Sequence, residues 1–330
     1  AGIPKSIVFW IGTTYTFELL LLAITTPIIA IKIKIQSLLN FVFITYTKIY
    51  IIKMYWFLKS YSFCLEKLPK FFLKINYKIH YFLLFHVLKL RKKMALKNLR
   101  TAFPGKDERW YNATIKALYQ FTVEEIVDFL SKYAHFDANT VHFNNMQVVD
   151  DALKENNGVI LVGGHFGSFH KLIVTMARKG YKNIAGISYQ QNNQAASKFF
   201  VELRKEYVAN ELHTGGPSSD VKQSLKNNEL LILLSDQDAG KKGIFVDFFN
   251  IPSSTPSGAA NYNKTMGSPL IFFSAVKTEN GYEANFEKID TTNKSIEDVV
   301  QKYTFMLEQE IKKYPEQYFW VHKRWKTKKI

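Results

Sequence analysis

The sequence predicts an α/β protein in which a central mixed sheet is flanked by helices, with an N-terminal helical segment that associates with a membrane. Three observations lead to this prediction: an apolar and basic first third, a buried strand that ends in a glycine-rich turn, and further strands that fit the same sheet. We divide the chain into an apolar anchoring segment at 1–67, a basic amphipathic region at 68–103 and an α/β domain at 104–330.

Charge is distributed unevenly along the chain. The 330 residues contain 44 Lys and Arg against 28 Asp and Glu, a formal net charge of +16. Residues 1–100 contain 16 of the basic residues and only two acids, Glu18 and Glu66, whereas residues 101–330 are close to neutral. A segment that is basic, apolar and aromatic favours an anionic membrane surface over nucleic acid. The single cysteine, Cys64, excludes a disulfide framework and a multi-cysteine metal site.

Two apolar stretches near the N-terminus are candidates for membrane contact. Residues 7–31 contain one charge, Glu18, over 25 residues, which is long enough for a retained membrane-spanning anchor. A signal peptide is the alternative, although its apolar region would be shorter and would precede a small-residue cleavage site. Residues 38–58 are apolar again but contain Lys48 and Lys53, so this stretch either spans the membrane or lies in its interface.

Residues 68–90 predict an amphipathic helix. Lys70, Lys74 and Lys78 recur every four residues and therefore share one helix face. The other side is apolar and consists of Phe71, Phe72, Ile75, Ile79, Phe82 and Leu83. Such a helix is suited to lie on anionic lipid, and the excess of Lys and Arg beside these segments indicates the cytoplasmic face. The alternative is a core helix with a solvated basic face.

From about residue 104 the sequence is typical of an α/β domain. Apolar periodicity predicts helices over 106–133, 151–156 and 295–313. Asp107 is placed to cap the first of them. Short runs of leucine and β-branched residues predict buried strands at 158–162, 183–187 and 230–234. A later strand pair is expected at 270–276 and 282–288, joined by a turn that contains Gly281.

The strand at 158–162 ends in a motif, Gly163–His170, that predicts a functional site. A strand, a glycine turn and a helix start form the place where α/β sheets display their chemistry. Glycines permit a tight turn, and a helix N-terminus supplies free N–H groups and a positive dipole. His165 lies in this turn, and since an imidazole titrates near neutral pH it is the candidate general base.

A general base of this kind needs a partner that orients the ring, typically a carboxylate. Five residues after His165 the chain has His170, which can hydrogen-bond the first imidazole. Asp236 or Asp238 can serve instead if the strands at 158–162 and 230–234 are neighbours. The spacing of the two histidines is not that of a helical zinc pair, and there is no serine-hydrolase elbow, P-loop or dinucleotide-binding motif. We therefore expect neither a metal nor a bound cofactor.

A series of short motifs extends from Leu68 to Lys328. They are Arg91–Lys93, Lys97–Leu99, Ala102–Pro104, Gly164–Gly167, Asp236–Gly240, Gly243–Phe249, Ser254–Gly258, Gly267–Pro269 and Pro315–Thr327. Each motif alone is weak, but so many in the same order are specific. In these residues the sequence resembles the late acyltransferases of lipid A synthesis, within the lysophospholipid acyltransferase superfamily.

The resemblance implies an enzyme of the bacterial inner membrane with its active site facing the cytoplasm. It would move a fatty acyl chain from acyl carrier protein or coenzyme A to a hydroxyl of a glycolipid or lysophospholipid, the thioester being a substrate rather than a cofactor. His165 corresponds to the family's base. The family has an acid five residues later, where this chain has His170, and usually an arginine in the following strand–loop region, where this chain has Gln190.

We accordingly predict His165, His170 and Asp236 as catalytic residues. The predicted substrate-binding residues are Gly164, Gly167, Ser168, Gln190, Gln237, Asp238 and Arg324. Backbone N–H groups of the turn between Gly163 and Gly167 are expected to hold the developing oxyanion. The aromatic and basic residues at 320–326 predict packing combined with contacts to phosphate, and a basic surface attracts either donor.

Three alternatives remain open at the level of sequence. The first is acyl transfer to an amine, as in aminolipid synthesis. The second is a non-catalytic lipid-binding member, given His170 and Gln190 at the two polar positions. The third, nucleic-acid binding, rests on charge alone, and the near-neutral charge of residues 101–330 argues against it.

Overall fold

The computed structural model describes residues 39–188 and 193–329, with the backbone alone for helix residues 39–51. The predicted anchor at 7–31 and Gln190 lie outside the described residues. The chain forms two compact units, each of which is discontinuous in sequence. The described parts of Ala1–Leu90, Thr122–Phe136 and Tyr189–Glu206 form the first unit. The second unit contains Arg91–Phe121, Asp137–Ser188 and, as far as it is described, Tyr207–Ile330.

Helices account for most of the first unit and surround the sheet of the second. They are α1 (Leu39–Lys67), α2 (Lys70–Phe82), α3 (Lys92–Ala102), α4 (Glu108–Leu130), α5 (Gln147–Lys154), α6 (Phe169–Arg178), α7 (Gln194–Arg204), α8 (Ser218–Lys226), α9 (Gly258–Met266) and α10 (Ile296–Lys313). A π-helical turn, Leu83–Val87, continues α2. As predicted, Asp107 caps α4 by accepting a hydrogen bond from the Trp110 N–H at 2.7 Å. Ser295 caps α10 in a reciprocal box with Asp298, which was not predicted.

The strands form one large mixed sheet and a separate hairpin. Their bounds are β1 (Val141–Asn144), β2 (Val159–Gly163), β3 (Ile184–Ser188), β4 (Asn210–His213), β5 (Leu230–Leu234), β6 (Ile244–Phe248), β7 (Ile251–Thr255), β8 (Leu270–Thr278) and β9 (Gly281–Lys288). The order in the large sheet is β1-β9-β8-β2-β5-β3-β4, and its neighbours are parallel except for the antiparallel pair β8–β9. The prediction of a central mixed sheet is confirmed.

The central strands form because their residues are apolar on both faces. β2 and β5 read Val-Ile-Leu-Val-Gly and Leu-Leu-Ile-Leu-Leu, and all of these side chains are buried except that of Leu234, which is partly exposed. Continuous apolar runs of this kind are typical of parallel strands covered by helices. β1, β4 and the hairpin β6–β7 were not predicted. The first two are short and partly polar, so the sheet rather than their own apolar pattern makes them strands.

In the first unit, α1 packs against α7 and the second half of α4. The Tyr55 hydroxyl donates to the Glu202 carboxylate at 2.7 Å, and the Ser62 hydroxyl donates to the Leu130 carbonyl at 2.5 Å. The rings of Phe129 and Phe200 stack with centroids 5.8 Å apart. Both hydrogen bonds and aromatic packing thus join the helices of this unit.

The helix predicted at 68–90 is present, as α2 and the π-helical turn. Leu73 is buried, but the apolar side chains of the predicted stripe face outward: Phe71, the most exposed at 68%, and Phe72, Ile75, Ile79 and Phe82. These residues therefore do not form a core. Among the described residues, no helix combines the length and the apolar character that crossing a membrane requires.

Candidate active site

The turn after β2 has the shape that the sequence predicts, because its glycines are needed sterically. The turn begins at Gly164 and ends at Ser168, the residue that precedes α6. Gly167 has a φ of +62°, and a Cβ there would lie 1.9 Å from the Ala275 carbonyl oxygen on β8. The turn is therefore pressed against the neighbouring strand, and a side chain at position 167 would displace it.

His165 and Asp236 are brought together at this turn. β2 and β5 are parallel neighbours with Gly163 opposite Leu234, so both strands end at the same edge of the sheet. His165 Nδ1 lies 2.7 Å from Asp236 Oδ1, and the two residues are only 7% and 4% exposed. The condition set by the sequence, that the two strands be adjacent, is met. The predicted carboxylate partner is thus Asp236 rather than Asp238.

The Asp236 carboxylate stays ionised in this buried place. Burial by itself would raise its pKa, but the charge and hydrogen bonds of His165, including one from the His165 backbone N–H, together with the charge of Arg324, outweigh burial. The pKa of Asp236 is therefore held below its ordinary value. When His165 is neutral, its Nδ1–H donates a hydrogen bond to the ionised carboxylate, and the lone pair of the ring is then on Nε2. This is the tautomer that a general base requires.

The Gln237 side chain lies over the face of the His165 ring. Its amide nitrogen, Nε2, is 3.3 Å from both ring nitrogens of His165. Ring nitrogens accept hydrogen bonds in the plane of the ring, on opposite sides of Cε1. An amide nitrogen that lay in the ring plane at 3.3 Å from both ring nitrogens would overlap Cε1, the carbon between them. The amide thus sits above the ring, close to the atoms on which Nε2 would act.

His170, the other candidate partner of His165, lies on the helix that follows the turn. It is buried on the first turn of α6, and its ring packs on that of Phe169 with centroids 4.1 Å apart. The carboxylate on Nδ1 of His165 comes from Asp236 instead. The partner is therefore supplied by a neighbouring strand rather than by the helix that follows the turn.

Four N–H groups of the turn already have hydrogen-bond acceptors within the protein. The N–H of Phe166 donates to the Gly164 carbonyl at 2.7 Å, and that of Gly167 donates to the Gln317 carbonyl at 2.8 Å. The Ser168 N–H donates to the Ala275 carbonyl at 2.6 Å. The His165 N–H is used by Asp236. These four groups stabilise the turn.

Asp238 and Arg324, both predicted to bind substrate, form hydrogen bonds within the protein. Asp238 accepts hydrogen bonds from the Thr327 N–H at 2.8 Å and the Thr327 hydroxyl at 2.7 Å. Arg324 is 2% exposed, and its guanidinium donates to the Ser254 carbonyl and the Thr255 hydroxyl, both at 2.6 Å. A guanidinium enclosed in this way is not available to phosphate at the surface.

A C-terminal strap, defined as residues 317–327, crosses the same edge of the sheet. Besides the Gln317 contact with the turn, the Phe319 N–H donates to the His165 carbonyl at 3.0 Å. Asn98 on α3 donates to the carbonyls of Trp320 and His322 at 2.7 and 2.5 Å. The sequence indicated this segment only as an aromatic and basic motif. Its role in fixing the backbone of His165 depends on contacts between distant residues.

Within the described part of the chain, no three His, Cys, Asp or Glu side chains are arranged to hold a metal ion. The site therefore consists of a buried His–Asp pair, an amide over the imidazole and a turn fixed by β8 and the strap. Such an arrangement can accept a proton from a hydroxyl or an amine that approaches Nε2.

Comparison with known proteins identifies the relatives of this chain. The family model described as bacterial lipid A biosynthesis acyltransferase matches residues 43–327. A lipid A biosynthesis palmitoleoyltransferase from Escherichia coli (strain K12) is 25% identical over 255 residues, which are 74% of this chain and 81% of the relative. A lipid A biosynthesis acyltransferase from Shigella flexneri matches with the same identity and coverage. The chain belongs to the bacterial lipid A biosynthesis acyltransferase family, and it is an acyltransferase.

Proposed function

We propose that this enzyme moves a fatty acyl chain from a thioester donor to a hydroxyl of a membrane lipid, with His165 as the general base and Asp236 as the carboxylate that orients it. Family membership supplies the coarser statement, acyl transfer to a lipid acceptor. The observation that supports the finer one is the buried 2.7 Å contact between His165 Nδ1 and Asp236 Oδ1. This contact provides a general base at the edge of the sheet where α/β proteins bind their ligands.

The reaction follows from the atoms of this pair. Nε2 of His165 takes the proton of the acceptor hydroxyl, and the oxygen forms a bond to the thioester carbonyl carbon. Asp236 stabilises the imidazolium that results. When the tetrahedral intermediate collapses, the carbon–sulfur bond breaks and the thiolate takes the proton from Nε2. The products are an ester of the acceptor lipid and the free thiol of the donor.

Gln237 is the residue that we assign to the oxyanion of the intermediate. The N–H groups of Phe166, Gly167 and Ser168 are occupied within the turn. The Gln237 amide nitrogen lies 3.3 Å from His165 Nε2, next to the place where the carbonyl must be attacked. A side-chain amide held there can donate to the developing negative charge without reorganising.

The acceptor is embedded in a bilayer, and α2 provides a surface that can reach it. Phe71, Phe72 and Ile79 are more than half exposed on this helix, and Lys74 and Lys78 are exposed beside them. Aromatic side chains that enter the acyl region and lysines that meet anionic headgroups are the features of an interfacial helix. The basic first third of the chain is consistent with the cytoplasmic face of the bacterial inner membrane.

The donor is acyl carrier protein or coenzyme A in acylated form, and the acceptor is a glycolipid or lysophospholipid. No bound cofactor takes part, because both reacting groups are substrates. The same base could deprotonate an amine, so hydroxyl and amine acceptors must be compared directly. The assembled His165–Asp236 pair favours catalysis over the lipid-binding alternative, since such a pair has no purpose in retaining lipid.

The deciding experiment uses purified protein with radiolabelled acyl donors and a panel of hydroxyl and amine lipids. His165→Ala is expected to abolish transfer while vesicle binding and the unfolding temperature stay those of the wild type. Full activity in this variant would exclude the mechanism. Comparing the lipids of cells with and without the gene by mass spectrometry identifies the acceptor, as the species that lacks one acyl group.

A further inference from the structure

Six exposed lysines lie on two segments beside the active site. Lys241 and Lys242 follow the end of β5, and the other four belong to the strap or follow it directly: Lys323, Lys326, Lys328 and Lys329. Residues 239–246 and 317–329 contain no acid, although residues 101–330 as a whole are nearly neutral. We call these six residues the lysine cluster. Positive charge is thus concentrated locally in the second unit.

Specific contacts join the two segments into one surface. The Ser254 hydroxyl donates to the Gly240 carbonyl at 2.6 Å, while the Ser254 carbonyl accepts from Arg324 at 2.6 Å. Asp238 binds both the N–H and the hydroxyl of Thr327. The lysines are neighbours in sequence of these anchored residues. Their backbone is therefore fixed while their ammonium groups extend into solvent.

The lysine cluster borders the catalytic pair. Asp238 is two residues beyond Asp236, and the strap is bonded to the His165 carbonyl through the Phe319 N–H at 3.0 Å. Ion pairs with carboxylates occupy other lysines of the described chain, such as Lys288 with Glu155, but none of the six. A ligand that places its reacting carbon near His165 would extend along this surface.

The chemistry of a thioester donor matches this arrangement. In biological acyl thioesters the sulfur stands at one end of a pantetheine arm and phosphate at the other. An ammonium group is a compact point charge that binds phosphate well. We infer that the lysine cluster binds the phosphate groups of the acyl thioester donor, so that donor recognition is separate from the acyl chain. This inference rests on the proposed thioester-dependent transfer.

A membrane surface would be the other anionic partner, and the pattern of exposed residues argues against it here. Interfacial sites combine lysines with exposed aromatic and aliphatic side chains, as α2 does. No large apolar side chain is exposed within 236–246 or 317–329. A surface with charge and without apolar side chains suits a soluble phosphate ligand.

The test compares two charge reversals of equal size in the full-length protein. Lys323→Glu with Lys326→Glu changes the lysine cluster, and Lys222→Glu with Lys226→Glu changes the exposed surface of α8 as the control. The Kd of coenzyme A, measured by calorimetry, is expected to rise about tenfold or more in the first variant and to stay unchanged in the second. The KM for the acyl donor should rise in parallel, with kcat preserved at saturation.

Two donor arms locate the phosphate that is recognised. If the KM of the variant rises for both acyl coenzyme A and acylated carrier protein, the lysine cluster binds the phosphopantetheine phosphate that the two donors share. If the KM rises for acyl coenzyme A alone, the cluster binds the nucleotide phosphates. The acyl N-acetylcysteamine thioester has no phosphate and should react equally with wild type and variant. An equal rise in KM for this phosphate-free thioester would overturn the inference. The inference would also be overturned if the variant bound anionic vesicles more weakly while its Kd for coenzyme A and its KM for acylated carrier protein stayed unchanged. If coenzyme A binding depends on the cluster but no lipid is acylated, the proposed function fails and the binding site stands.

Discussion

The two units depart from the usual distribution of side chains in opposite directions. The second unit buries polar groups, namely His165, His170, Asp236 and Arg324, at the edge of its sheet. The first unit exposes large apolar side chains on α1 and α2, among them Trp56 and Phe71. Buried polar groups and exposed apolar surfaces are the informative exceptions to normal burial. Comparing the two units therefore separates the buried polar site from the exposed apolar surface.

The buried polar groups and the exposed apolar groups are stabilised in different ways. The buried groups of the second unit bind one another, as His165 binds Asp236 and Arg324 binds Ser254. The apolar groups on α2 are exposed in the part of the chain that the structure describes, and under the proposed function they would be stabilised by lipid. Substitutions in the second unit should therefore affect turnover, whereas substitutions on α2 should affect membrane affinity.

The largest effect is expected for the carboxylate of the pair. Asp236→Asn should lower kcat by about 10³- to 10⁴-fold, because an amide neither holds the required tautomer nor stabilises the imidazolium. His170→Gln should lower kcat by less than about tenfold, since Asp236 already binds Nδ1 of His165. Transfer rates with labelled donor measure both, with circular dichroism to verify folding. A greater loss for His170→Gln would give the second imidazole the orienting role.

The next largest effect is expected at Gln237. Gln237→Leu should lower kcat by about 10²-fold, the usual range for losing one oxyanion donor, with little change in KM for either substrate. Gln223→Leu on the exposed face of α8 is the matched control, since Gln223 bonds only to Asn227 among the described residues. If kcat is unchanged in Gln237→Leu, the amide does not stabilise the intermediate.

A smaller effect, confined to the membrane, is expected on α2. Phe71→Gln with Phe72→Gln should weaken binding to anionic vesicles about tenfold or more, because each ring would otherwise be withdrawn from water into lipid. Turnover of a water-soluble short-chain acceptor should stay the same. Phe305→Gln on α10, which is also exposed, provides the control in the second unit. Equal losses of vesicle binding in the two proteins would refute the assignment of α2.

A last effect concerns the pH dependence of stability. Burial, with the positive charges of His165, Arg324 and Arg91, lowers the pKa of His322 to about 3 despite the opposing charge of Asp236. As the pH falls below about 6.5, His322 binds a proton in the unfolded chain but stays neutral in the folded chain. The free energy of unfolding is therefore unaffected by His322 above pH 6.5 and decreases as the pH falls below it. His322→Gln should reduce the slope of unfolding free energy between pH 6 and 4 by about 1.4 kcal/mol per pH unit, measured by urea titration. An unchanged slope would show that this imidazole is protonated in the folded state.

The elements with a strong local signal were predicted from sequence. β5 was predicted with its observed bounds, and β2, β3 and the helix capped by Ser295 were displaced by one residue. The turn that contains His165 was predicted because glycines permit a tight turn after a buried strand. The structure adds that Gly167 is required by the close approach of the turn to β8. The strand β4 was missed because Asn210–His213 has no apolar run, so that its pairing with β3 makes it a strand.

The site itself was predicted in part. His165 and Asp236 were both candidates, but the choice among His170, Asp236 and Asp238 as the partner depended on whether β2 and β5 are neighbours. Arg324 was assigned to substrate from its charge, and only the fold shows that its guanidinium is bound to Ser254 and Thr255. Side-chain chemistry is a property of the residue, whereas its partner and its exposure are properties of the packing.

By itself, the sequence determined the fold class, the unequal charge of the two parts of the chain and the place of a reactive imidazole after a buried strand. These follow from local patterns, since hydrophobic periodicity and glycine conformation act over a few residues. Tertiary structure alone decided that Asp236 contacts His165, that the strap is bonded to the turn that contains His165, and that the apolar stripe of α2 faces outward. These depend on strand order and on contacts between residues far apart in the chain, which no local pattern encodes.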